Sequence, residues 1–81
     1  MDINKKTEIE AATFRRVLKH FQKRTDVQNI DVMNAAGFCR NCLSRWYREE
    51  AIALNEEVSI ELAKEFVYDM NYEDWKEKFQ K

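Results

Sequence analysis

The 81-residue chain reads as all-α, a compact bundle of four to five helices that is expected to self-associate. Three observations predict this class. It has one glycine and no proline, so the many tight turns of an all-β fold have no residues to build them. Its apolar residues recur at helical spacing. Helix-opening signatures stand in front of those stripes at intervals along the chain.

Met1–Lys6 is polar and expected to fray. Thr7-Glu8-Ile9-Glu10 has the form of a capping box and predicts the start of a first helix. Its apolar stripe is Ala11, Phe14, Val17, Leu18 and Phe21, with Arg15, Arg16, Lys19 and Lys23 outside it. Thr25-Asp26-Val27-Gln28 repeats the box and predicts a short second helix that buries Val27, Ile30 and Met33. Gly37 reaches the left-handed conformation without steric cost, which places the next break there.

A third helix is expected from Phe38 to Leu54, with Cys39, Cys42, Leu43 and Trp46 inward and Arg40 on a flank. Asn55–Val58 is a polar connection. Ser59 suits the N-cap of a fourth helix with Leu62, Ala63, Phe66, Val67 and Met70 facing the core. Asn71 suits the cap of a last helix carrying Tyr72, Trp75 and Phe79.

There is no internal repeat and no linker, so residues 1–81 form one domain. No apolar run approaches the roughly 18 residues of a membrane span, and no signal-peptide pattern opens the chain, so a cytoplasmic setting is expected. The net charge of −1 hides an asymmetry. Residues 1–48 carry ten Lys/Arg against five Asp/Glu, and residues 49–81 carry four against ten. Such halves either form a basic docking face or neutralise one another. Ten aromatic side chains are a large apolar load for so short a chain. Trp46, Tyr47, Trp75 and Phe79 exceed what one small bundle encloses, which favours a homo-oligomer, most simply a dimer.

Cys39-Arg40-Asn41-Cys42 is a C-x-x-C spacing. Two thiols one helical turn apart are half of a tetrahedral Zn or Fe site, with His20, Asp26, Asp31 or a second subunit as the source of the remaining ligands. The same pair at a helix start suits thiol redox chemistry, although no βαβ context accompanies it. Plain burial of two small apolar side chains is the third reading. Arg40, Arg45 and Arg48 are candidates for binding an anion or nucleic acid, a use that the slightly acidic overall charge disfavours. Adjacent acids such as Glu49/Glu50 splay apart on a helix and make no acid/base dyad. One histidine and one glycine exclude a Ser-His-Asp triad and a glycine-rich phosphate loop. Enzymatic chemistry is not expected.

At Asp26-Val27-Gln28-Asn29-Ile30-Asp31 and Ala36-Gly37-Phe38-Cys39-Arg40-Asn41-Cys42-Leu43, the chain resembles short bacterial proteins of domain-of-unknown-function family 1244. The likeness extends from Phe14-Arg15-Arg16 and His20 through Trp46-Tyr47 and Tyr68 to Tyr72-Glu73-Asp74-Trp75-Lys76. It implies a compact helical cytosolic protein and brings no established activity, substrate or cofactor. The family pattern commonly reads Gly-Met-Pro-Tyr where this chain has Asp69-Met70-Asn71-Tyr72.

Overall fold

A computed structural model describes residues 2–81. Five helices follow in chain order, α1 (Ile3–Lys23), α2 (Asn29–Ala36), α3 (Arg40–Ala53), α4 (Ile60–Tyr68) and α5 (Tyr72–Phe79), with no strand among the described residues. No helix is long and apolar enough to cross a membrane.

The first helix starts earlier than the Thr7 box predicts. Asp2 is its N-cap, and the Lys5 amide donates to Asp2 Oδ1 at 2.8 Å. Thr7 instead sits inside the helix, its hydroxyl donating back to the Ile3 carbonyl at 2.9 Å. Of the stretch expected to fray, Met1 lies outside the described residues and Ile3–Lys6 is helical. Residues 3–10 are all exposed, so this end of α1 runs past the bundle. The molecule is accordingly elongated, at 44 × 26 × 21 Å.

The second helix also departs from expectation. It starts at Asn29 behind Gln28, which makes no side-chain cap. Thr25 and Asp26 belong to the preceding turn, where Asp26 accepts from Arg24 Nε and Nη2 at 3.0 Å each. Val32 is its buried residue, while Ile30 and Met33 are exposed. Gly37 closes the helix as expected, at φ 77°, with its amide donating to the Met33 carbonyl. Ser59 and Asn71 cap α4 and α5 as the sequence predicts, accepting from Leu62 N and from Glu73 N and Asp74 N.

Helix α4 is the centre of the bundle. It packs most extensively against α3 and also against α1 and α5. Ala63 and Val67 are completely enclosed. Leu18, Leu43, Val67, Tyr68 and Trp75 form the core, with Phe14, Phe21, Phe38, Met70, Tyr72 and Phe79 packed around it. Small side chains at 63 and 67 let α3 approach α4 closely, and the aromatic residues of α1 and α5 close the ends.

Candidate functional site

The start of α3 holds the feature the sequence disguises. Cys39 is the N-cap of α3, in extended conformation, and Arg40 is its first helical residue. This frame sets the buried stripe of α3 at Arg40, Leu43 and Ser44, with Tyr47 half-buried one turn on. Trp46, predicted inward, is 41% exposed instead. Arg40 is only 1% exposed.

The Arg40 guanidinium is held entirely by neutral acceptors. It donates to the carbonyls of Arg24 and Val27 at 2.8 Å, to Asn29 Oδ1 at 3.0 Å, and at 3.4 Å to the Phe21 carbonyl. Phe21 and Arg24 end α1, where each carbonyl accepts one backbone amide, keeps a second lone pair for Arg40, and carries the partial negative charge of the helix dipole. Two rings complete the enclosure, with the guanidinium carbon 5.1 Å from the centroid of Phe21 and 4.9 Å from that of Trp75. Burial pushes the Arg40 pKa down, as desolvation penalises the charged form.

A directed chain of hydrogen bonds leaves from this arginine. Arg40 has only donors, so Asn29 turns its oxygen to it and its amide nitrogen to the Tyr68 hydroxyl at 2.9 Å. Tyr68 then donates to Asn41 Oδ1 at 2.7 Å, and Asn41 donates to the Tyr72 hydroxyl at 3.2 Å. Five side chains from α2, α3, α4 and α5 are thereby satisfied in one direction. Burial drives the Tyr68 hydroxyl well above the ordinary phenol pKa.

The three arginines named as candidates for binding an anion, Arg40, Arg45 and Arg48, have different surroundings. Arg40 faces the interior with its donors engaged. Arg45 lies 3.6 Å from Glu49, and Arg48 donates to the Val58 carbonyl at 3.0 Å. The three do not converge on one surface site.

The candidate metal ligands are not assembled either. Cys39 is buried and Cys42 half-buried, both as free thiols. His20 is exposed near the end of α1 and Asp31 is exposed in the first turn of α2. Asp26 is bound by Arg24, whose hydrogen bonds hold its carboxyl below the usual range. Among the described residues, no three His, Cys, Asp or Glu side chains come together to hold a metal ion. Two thiols alone leave a Zn or Fe site half built.

What the fold does build is a groove. Helices α1 and α3 each line one side of a trough of about 480 Å³ above α4. Ala11, Phe14 and Arg15 of α1 form one wall, and Leu43, Trp46, Tyr47 and Glu50 of α3 form the other. Phe66 of α4 is its floor, stacked on Tyr47 at 4.4 Å between centroids and 6.4 Å from Phe14. The sequence reading buried Trp46 and Phe66. The observed exposure is 41% and 39%, since each lies one step off the enclosed stripe of its helix. A larger depression of about 750 Å³ at the α3–α4 turn has Arg48, Glu56 and Glu57 on its lining and no aromatic ring.

The residues of α2 to α5 that build these features fall within a family match. A family profile described as "Protein of unknown function (DUF1244)" matches residues 27–81. The chain belongs to this family. The DUF1244 match takes in Arg40, its hydrogen-bond chain and the α3 and α4 sides of the groove, and α1 precedes it. A comparison with curated proteins returns no match.

Proposed function

We propose that this chain is a non-enzymatic interaction module of the bacterial cytoplasm that works as a homo-oligomer, most simply a twofold dimer. The observation that carries this reading is the groove lined by Phe14, Trp46, Tyr47 and Phe66, which exposes aromatic surface on a fixed helical frame. Exposed aromatic rings in a walled apolar trough are what a protein interface needs at its centre. A chain of this size also encloses only about 60–65% of its unfolded surface, so association adds burial that the monomer lacks. Two unpaired thiols fit a reducing compartment.

Native mass spectrometry and sedimentation of reduced, chelator-free protein test the reading together. The expected species is a metal-free oligomer, a dimer of the 9.8 kDa chain in the simplest case. Trp46→Glu and Phe66→Glu should give folded monomers, because both side chains are substantially exposed in the subunit. A wild-type monomer at about 100 µM would overturn the proposal. So would one stoichiometric metal ion lost in Cys39→Ser and Cys42→Ser, which would return the function to the thiol pair.

A further inference from the structure

We infer that the grooved face packs against the same face of a second copy of this chain, related by a twofold axis running along the groove, so that the α1 wall of each subunit meets the α3 wall of the other. This rests on the self-association reading and adds the geometry of the interface.

A twofold interface requires a patch complementary to itself, and a trough offers two choices of axis in the plane of contact. An axis across the trough sets each α1 wall against its own copy. An axis along the trough sets α1 against α3. Charge decides between them. Helix α1 carries six Lys/Arg against two Glu, and Arg15 stands on its wall of the groove. On α3, Arg45 lies beside Glu49 and Arg48 donates to the Val58 carbonyl, and Glu50 is the charged side chain that stands on the α3 wall.

The two halves do not neutralise one another by ion pairing inside the subunit. The ion pairs among the described residues are Arg24–Asp26, Arg45–Glu49 and Lys76–Glu73, each between near neighbours in sequence. None joins α1 to the acidic half, and neither Arg15 nor Glu50 has a partner in them. The across-groove axis would set Arg15 against the partner's Arg15 and Glu50 against the partner's Glu50. The along-groove axis brings Arg15 to the partner's Glu50 on one side and repeats the pair on the other, with the aromatic floor between them. Like charges placed opposite suppress association, and opposite charges select a register.

Paired charge reversals test this. Arg15→Glu and Glu50→Arg should each weaken homodimerisation about tenfold or more by sedimentation, each contact being duplicated by the symmetry. Both side chains are exposed, and circular dichroism will establish that the variants fold. An equimolar mixture of the two variants should regain dimer, seen as the heterodimer mass in native spectra, because both cross-subunit pairs are then restored. A dimeric wild type whose variants dimerise unchanged, or whose mixture gains no heterodimer, would overturn the inference while leaving self-association standing. A monomeric wild type would overturn both.

Discussion

The guanidinium carbon of Arg40 lies 4.9 Å from the ring centroid of Trp75, and a second ring, Phe21, covers it at 5.1 Å. One cation from α3 is thus clamped between the end of α1 and the middle of α5. Its hydrogen bonds bind the two carbonyls of the α1–α2 turn, so the same group fixes how three helices and a turn meet. A buried charge with no carboxylate partner is costly unless its donors are met and its charge is offset. Here the offset comes from the α1 dipole and the faces of two rings.

Replacing Arg40 by Met should therefore lower stability by about 3 kcal/mol. The side chain keeps its length, but the Val27 carbonyl and Asn29 Oδ1 lose the guanidinium and the Arg24 carbonyl keeps only the Val27 amide, and hydrogen bonds to a charged group are worth about 1.5–3 kcal/mol. Arg40→Lys should recover only part of this, since one ammonium cannot span the same acceptors as a planar fork. Urea unfolding followed by circular dichroism measures both. A loss below about 0.5 kcal/mol for Arg40→Met would show that the clamp contributes little.

The hydroxyl of Tyr68 is both acceptor and donor between Asn29 and Asn41. Tyr68→Phe leaves one amide donor and one amide oxygen unpaired near the core and should cost about 1–3 kcal/mol at neutral pH. It also has a pH signature. The folded phenol titrates above its ordinary value, so folding favours the neutral form. Stability from this group is full below pH about 10 and falls as pH rises from there towards the folded value, by at most about 1.4 kcal/mol per unit. The difference in stability between wild type and Tyr68→Phe should shrink between pH 9 and about 11. A constant difference would remove the phenol from the alkaline response.

Helix number, the Gly37 break, and the Ser59 and Asn71 caps were legible in the sequence because each depends on local chemistry, namely a left-handed residue or a side chain that meets an orphan amide. The phase of α3 was not. Arg40, Leu43, Ser44 and Tyr47 follow the spacing i, i+3, i+4, i+7, yet the competing set Cys39, Cys42, Leu43 and Trp46 has the same spacing and is more apolar. Hydrophobicity chose the second set. The fold chose the first, because Arg40 meets carbonyls from a turn more than a dozen residues away in sequence. The groove was hidden for a related reason. A stripe such as Leu62, Ala63, Phe66 and Val67 says that α4 is amphipathic, but not which of its residues a neighbour leaves uncovered.

The thiols offer a check on that phase. Cys39 is buried at the N-cap and Cys42 is partly exposed one turn on. In native protein, a thiol reagent should modify Cys42 and leave Cys39 untouched until denaturant is added, as read by peptide mass. Equal rates at the two sulfurs, or faster reaction at Cys39, would contradict the frame in which Arg40 and Leu43 face the core.

The turn before α5 shows a strain that can be relieved. Asp69 ends α4 in the left-handed region at φ 57°, ψ 29°, where a side chain costs energy that glycine does not incur. Asn71, two residues on, has φ −60°, within the range a proline ring fixes. A glycine and a proline at these two positions would meet both demands, whereas this chain meets the first with an aspartate and uses the second position for a capping asparagine. Asp69→Gly should remove roughly 1–2 kcal/mol of left-handed strain, less the roughly 0.5–1 kcal/mol of extra chain entropy that glycine loses on folding. The net expectation is a gain of about 0.5 kcal/mol, a rise of a few degrees in Tm for a domain of this size. Asn71→Pro should do the reverse. It keeps the backbone angle but removes the oxygen that accepts from the Glu73 and Asp74 amides, and losing such a cap costs about 1 kcal/mol. Thermal unfolding of the two variants separates the effects, and a destabilised Asp69→Gly would mean that the aspartate side chain contributes more than its backbone strain removes.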